Sequence, residues 1–244
     1  MIDTITYHNV HNLFKLNGFH LNRNDLCRVA YSFIKEGDEF EKSVGDFVLD
    51  WFDNKSYIEM NTSGTTGTPK LIRVYKQAMV NSAIATGDFF DLKPGDKVLH
   101  CLPTKYIAGK MMFVRGFILG LDVDFVAPSS HPMLQNDTKY DFVAMVPLQA
   151  QNSLSELKNV KKMIVGGAAI NNNSATAGAL IVTGPVVNAG TSLVKNFNLG
   201  GANTNAANDF QSILGDGGLG GVVNLVKNDA GAWRVSGLNT FTGQ

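Results

Sequence analysis

Apolar residues in the first part of the chain recur alternately at helical spacing and in short β-like runs. Asn24 stands as an N-cap-like polar residue before Leu26, Val29, Ala30, Phe33 and Ile34, which keep helical spacing until Gly37 stops them. Phe40, Val44, Phe47, Val48 and Trp51 mark one side of a second helix, with charges opposite. Strand-like runs follow at 57–60 and 71–74, a helix at 77–90, and a turn cluster, Leu92-Lys93-Pro94-Gly95-Asp96. Beyond it the pattern predicts strands at 98–102, 123–126, 142–146 and 163–165, separated by helices at 107–119 and 148–157. Strands alternating with helices of this length predict an α/β parallel sheet with flanking helices. In such sheets ligands sit at the carboxyl ends of strands, here the loops at 103–110 and 166–170. Residues 1–22 are weakly patterned.

With 244 residues and 44% hydrophobic content, one large or two modest domains are accommodated. The formal net charge is zero, so nothing global steers the chain to nucleic acid or an anionic membrane, and neither is expected as a partner. Residues 107–121, the longest apolar stretch, carry Lys110 and Arg115 and are too short to span a bilayer. Cys27 and Cys101 are far apart and form no framework, and residues 1–6 lack the basic-then-apolar order of a signal peptide. A reducing, cytoplasmic setting is therefore expected for this part. His8, His11 and His20 lack acidic or thiol companions at ligand spacing, so packing or surface roles are expected and no metal site is assigned.

The densest chemistry lies in Asn61-Thr62-Ser63-Gly64-Thr65-Thr66-Gly67-Thr68-Pro69-Lys70, between two extended runs. Two glycines allow amide N–H groups to approach an anion, hydroxyls donate to phosphate oxygens, and Lys70 adds a mobile positive charge. The spacing of Gly64 and Lys70 is not that of a Walker loop, and no Ser or Thr follows the lysine. A plain Gly/Thr hairpin turn is the other reading.

This loop resembles the signature loop of the adenylate-forming acyl-CoA synthetases, nine consecutive positions fitting the pattern. Two further segments extend the resemblance in order and spacing. Leu102-Pro103-Thr104-Lys105-Tyr106-Ile107-Ala108-Gly109-Lys110 is similar to the family segment that carries an aromatic residue beside the acyl substrate. Val165-Gly166-Gly167-Ala168-Ala169-Ile170 is similar to the strand end that lines the adenine. The likeness covers about residues 25–170 and is greatest to the o-succinylbenzoate–CoA ligases of menaquinone biosynthesis. It implies a carboxylate substrate, ATP with Mg²⁺, CoA as co-substrate and an acyl-adenylate intermediate. By the same resemblance, Thr62, Ser63, Gly64, Thr65, Thr66, Gly67 and Lys70 hold phosphates, Gly166, Gly167 and Ala168 line the adenine, and Tyr106 and Gly109 border the acyl group. A packed aromatic at Tyr106 and a plain strand-to-loop turn at Gly166 and Gly167 are the competing structural readings.

The composition changes at about residue 171. Residues 171–244 hold 13 of the 25 glycines, no His, Met or Cys, and six charged residues, which marks a different kind of polypeptide. Short apolar runs divided by Gly/Asn turns predict a Gly/Asn-rich all-β segment. Leu193-Val194-Lys195-Asn196 echoes Leu225-Val226-Lys227-Asn228, and Leu199 to Thr204 echoes Val235 to Thr240, so a β-solenoid with repeats of 32 to 36 residues is expected, with disordered chain as the alternative. Residues 175–244 resemble the autotransporter-associated β-strand repeat of bacterial surface proteins. The family's later motifs, a Tyr-Gly-x-Thr-Glu segment, a ribose-binding Asp and a lysine on a mobile domain, are not found after Gly167, so no catalytic residue is assigned. The expected organisation is an incomplete adenylation core at 1–170 joined to a solenoid fragment at 171–244, by fusion, rearrangement or misassembly.

Overall fold

In the computed structural model, helix α1 (Arg23–Glu36) is capped by Asn22, two positions before the expected cap at Asn24. The Asn22 side chain accepts from the amides of Asn24 and Asp25 at 2.8 and 3.1 Å, and Asp25 accepts from the Asn22 amide, closing a reciprocal cap. Asp38 and Glu41 repeat the device at the start of α2 (Glu39–Phe52). The two helices pack together, and a Cβ on Gly45 would lie 2.5 Å from the Ala30 carbonyl oxygen, so a glycine is what permits the approach. The structure describes residues 5–61, 71–134 and 137–167, with 170–171, 181–182, 186–187, 194–200, 208–210, 214–215, 222–227 and 233–235 beyond them.

Two compact units form, Met1–Gly166 and Gly167–Gln244. The first is built on a six-stranded sheet of β1 (Lys15–Leu16), β2 (Phe19–His20), β5 (Lys97–His100), β6 (Asp122–Phe125), β7 (Tyr140–Met145) and β8 (Val160–Val165). Their order is β2-β1-β6-β5-β7-β8, all parallel except β2. Helices α3 (Lys76–Phe90), α4 (Ile107–Leu119) and α5 (Pro147–Asn152) complete the α/β pattern. Alternate residues of the central strands serve two cores. Val98 and Phe142 join the larger core with α1 to α4, while Leu99, Val143 and Met145 join a smaller one with Ala150 of α5. Burial on both faces is why these strands read as continuous apolar runs rather than as alternation.

The structure departs from expectation at two places in this unit. The weakly patterned start contains a hairpin, β1 to β2, turned by Asn17 and Gly18 at φ of 48° and 80°. Strands of two residues are too short to show a period, and the only trace in the sequence is the Asn-Gly pair. The helix expected over 148–157 stops at Asn152, where the Ser153 amide donates to the Gln149 and Ala150 carbonyls, and a 3₁₀ turn at Leu157–Asn159 leads into β8.

The second unit contains short parallel ladders. Strand β12 (Val194–Gly200) lies between β9 (Ile170–Asn171) and β15 (Val222–Lys227). Strand β13 (Asn208–Phe210) lies between β10 (Ile181–Val182) and β16 (Trp233–Val235), and β11 (Val186–Val187) pairs β14 (Leu214–Gly215). Val194 faces Val222, Asn196 faces Asn224 and Val186 faces Leu214. Offsets of 25 to 29 residues, 28 in three of the five pairings, replace the expected 32 to 36: the Leu-Val-Lys-Asn echo is a local likeness, whereas pairing of β12 with β15 follows the register that sets Val on Val and Asn on Asn.

Candidate functional site

The candidate phosphate loop is carried by a hairpin of β3 (Tyr57–Asn61) and β4 (Leu71–Tyr75), paired antiparallel from Tyr57↔Tyr75 to Asn61↔Leu71. The ladder closes on the residue immediately before Thr62 and the residue immediately after Lys70, so both ends of the run are held side by side. Thr62, Ser63, Gly64, Thr65, Thr66, Gly67 and Lys70 themselves lie outside the described residues. Ile58 is buried and Val74 packs against the larger core, whereas Leu71 and Ile72 are exposed. Arg73 pairs with Glu59 directly across the ladder at 3.0 Å and lies over the Tyr57 ring.

An ion pair between a buried lysine and a half-buried aspartate fixes the base of this hairpin. Lys76 follows β4 directly, has no exposed surface, and donates to Asp53 Oδ1 at 2.6 Å and to the Asp53 carbonyl; its amide bonds the Ser56 carbonyl. Burial works to raise the Asp53 carboxyl, but the hydrogen bonds from Lys76 and the Lys55 amide, with both lysine charges, outweigh it and hold the pKa below the ordinary carboxylate range.

The second part of the site lies at the carboxyl edge of the sheet. Strand β5 is flanked by β6, which follows it through α4, and by β7, to which the chain then crosses; this reversal is where parallel sheets open a crevice. The β5 end runs through Pro103 to Tyr106, whose amide bonds the Pro103 carbonyl and which stands at the start of α4 with its ring 47% exposed. The ring is therefore at the surface of the edge rather than packed. Gly109 lies one turn into α4, where a Cβ would come within 2.2 Å of the Pro103 carbonyl oxygen. Only glycine lets the loop fold onto the helix there, a packing role independent of any substrate. Thr104 is buried and shares a 2.7 Å hydrogen bond with Ser43 of α2.

Gly166 extends the β7–β8 pairing through its amide to Met145, and a Cβ on it would meet nothing within 4 Å. Among the described residues no packing demands a glycine at that point. Gly167 takes φ of 88°, a left-handed conformation that favours glycine, and Ala168 lies outside the described residues. The strand order thus puts Tyr106 and Gly166 at the same edge of one sheet, at the ends of strands separated only by β7.

Four side chains at this edge were given no role by the sequence, His100, Cys101 and Gln149 because they lie outside every motif and Lys110 because it only closes one. His100, fully buried at the end of β5 against Phe40 and Phe113, has ring nitrogens with no hydrogen-bond partner among the described residues, and burial lowers its pKa to about 3, leaving a neutral ring. Cys101 is pushed up to about 12 by burial, so it is an unreactive thiol. Lys110 is 8% exposed with its ammonium 4.8 Å from the centre of the Phe47 ring; burial lowers its pKa while Asp50 and Asp46 oppose the shift. Gln149, buried in α5, donates to the carbonyls of Cys101 and Ser129 and accepts from the Val146 amide. Among the described residues no group of His, Cys, Asp and Glu is arranged to hold a metal, and no helix is long and apolar enough to cross a membrane.

The family model described as AMP-binding enzyme matches residues 50–190. Among solved structures, the chain is similar to an acyl-CoA synthetase (AMP-forming)/AMP-acid ligase II-like protein from Dyadobacter fermentans, 32% identical with a TM-score of 0.52, over 59% of this chain and 43% of that one. It also aligns with the o-succinylbenzoate coenzyme A synthetase of Bacillus subtilis in complex with AMP, at 22% identity and a TM-score of 0.40, over 46% of this chain and 24% of that one. The ATP-bound MatB of Rhodopseudomonas palustris aligns at 18% identity and a TM-score of 0.41, over 45% and 24%. No curated protein matches the chain. The chain therefore spans well under half the length of these relatives.

Proposed function

Since this chain belongs to the AMP-binding enzyme family, we propose that its first unit is the front part of an ATP-dependent carboxylate–CoA ligase of the o-succinylbenzoate–CoA ligase kind. The observation that carries this reading is the β3–β4 ladder, whose last pair, Asn61 and Leu71, brings the two ends of the Thr/Gly/Lys run side by side inside the matched region. In the reaction, a carboxylate oxygen attacks the α-phosphorus of ATP and pyrophosphate leaves; the CoA thiol then attacks the acyl carbon of the adenylate and AMP leaves. Thr62, Ser63, Gly64, Thr65, Thr66, Gly67 and Lys70 would hold the β- and γ-phosphates, with Mg²⁺ accompanying the triphosphate. Gly166, Gly167 and Ala168 would line the adenine, for which the open space at Gly166 is the support. Tyr106, exposed at the edge, and Gly109 would border the acyl group.

The chain's own groups supply binding and orientation; a cation for the developing charge at the α-phosphate and a carboxylate for Mg²⁺ would come from motifs that residues 171–244 do not contain. Binding without turnover is accordingly expected. Titration calorimetry with ATP and Mg²⁺ should give weak heat that Lys70→Ala abolishes, and carboxylate-dependent ATP–pyrophosphate exchange should stay at background. Equal heats for the two proteins would remove the loop from the site.

For the second unit the ladders favour a three-faced solenoid fragment, as in the autotransporter-associated repeat. Strands β9, β12 and β15 stack on one face, β10, β13 and β16 on another, and β11 and β14 on a third, in an order that returns to the first face after each coil. On this reading the second unit adds no catalytic group, the first unit belongs in the cytoplasm, and the junction joins unrelated modules by fusion, rearrangement or misassembly.

A further inference from the structure

At the carboxyl edge of the sheet one side chain bonds the backbone of three successive strand ends. Strand ends have no ladder partner beyond their last pair, so what fixes them relative to one another is whatever bonds the backbone just past it. Past β5, the Cys101 carbonyl accepts from Gln149 Nε2 at 3.0 Å. Past β6, the Ser129 carbonyl accepts from the same nitrogen at 2.9 Å. Past β7, the Val146 amide donates to Gln149 Oε1 at 3.2 Å. Both donors and the acceptor of one amide are thus used on three backbone segments, and Gln149 is only 4% exposed. A second tie runs from Asn152 of α5 to the Ser130 carbonyl.

We infer that Gln149 is a positioning residue for ligand binding at this edge, because among the described residues its one amide bonds all three of the segments following β5, β6 and β7. The inference rests on the ligase reading proposed above. The segment after β5 leads within five residues to Tyr106, and the segment after β7 follows Met145, whose carbonyl receives the Gly166 amide. Gln149 thereby couples the position assigned to the acyl group with the position assigned to the adenine, touching neither ligand. The geometry also sets which substitutions matter. A leucine of similar size fills the space but leaves two carbonyls and an amide without partners. A glutamate keeps the bond from Val146 but, when ionised, faces two carbonyls with no proton to donate. Protonated, it regains one donor.

The test uses the full chain and its Gln149→Leu and Gln149→Glu variants, followed by hydrogen–deuterium exchange at several pH values, each variant expressed as a ratio to the unsubstituted chain. Gln149→Leu should speed exchange at 101–106 and 146–149 about tenfold, the scale set by one unsatisfied buried group, with α1 and α2 unchanged. Gln149→Glu should do the same at neutral pH and return towards a ratio of one as the pH falls and its carboxyl protonates. A general loss of stability would raise exchange across the unit in both variants with no rescue by acid, and that result overturns the assignment, as would unchanged exchange at 101–106. A parallel titration with a non-hydrolysable acyl-sulfamoyl adenosine separates the two claims: no binding to the unsubstituted chain removes the ligase reading, whereas equal binding to it and to Gln149→Leu removes the positioning role.

Discussion

At Lys76 the chain buries an ammonium completely, which is tolerable only because Asp53 lies 2.6 Å away and adds its carbonyl. Removing one partner strands the other, so Asp53→Ala should cost about 3 kcal/mol in denaturant unfolding of the first unit, whereas Asp53→Ala combined with Lys76→Met should recover most of it. The sign with pH follows from Asp53. Its carboxyl is held below the ordinary range in the folded state, so its contribution is present above the unfolded value and is lost as the pH falls through the folded one. The unsubstituted chain should therefore lose stability in that acid window more steeply than Asp53→Asn. Parallel slopes would show that the pair contributes nothing measurable. This interaction was invisible in the sequence: the residues stand 23 positions apart, and nothing but the fold brings them together.

At the scale of elements, legibility tracked length and period. Helices α1, α2, α3 and α4 are each thirteen residues or longer and were placed to within a position or two, because several turns of apolar spacing outweigh any local accident. The β1–β2 hairpin, at two residues a strand, was missed, and α5 was read too long because a buried Ser153 ends it through backbone bonds that no residue type announces. The candidate site divides the same way. Its candidate loops are marked by motif, whereas Gln149 lies outside every motif, and Thr104 and Lys110, though inside one, act through tertiary contacts that no motif announces. The start of α1 shows how fine the error is, since two asparagines lie two positions apart and only Asn22 caps. Asn22→Ala should lower stability by about 1 kcal/mol, while Asn24→Ala, inside the first turn, should change it by no more than about 0.5 kcal/mol. The reverse ranking in urea unfolding would restore the sequence-based cap.

At the scale of the whole molecule, two kinds of polypeptide meet near Gly166. Before it, a parallel sheet buries both faces under helices and draws stability from long-range packing; after it, short ladders stack on their neighbours. If these ladders are the proposed solenoid, a stack of about three coils gains little per coil and lacks the many interfaces that make longer arrays cooperative. If the units are independent modules, they should unfold independently, with the second giving way at lower urea. The two tryptophans allow each to be followed separately, since Trp51 is buried in α2 of the first unit and Trp233 belongs to β16 of the second. In Trp233→Phe the fluorescence reports the first unit with its sequence intact, and in Trp51→Phe it reports the second, so neither reading is made on the unit that carries the substitution. Two separated midpoints, matched by a biphasic far-ultraviolet transition of the unsubstituted chain, are the expected outcome. Coincident midpoints with a single steep slope would mean one cooperative body, because the slope scales with the surface exposed in a single transition. The ladders beyond Gly167 would then be part of the ligase-like core's own stability, and the fusion reading would fall.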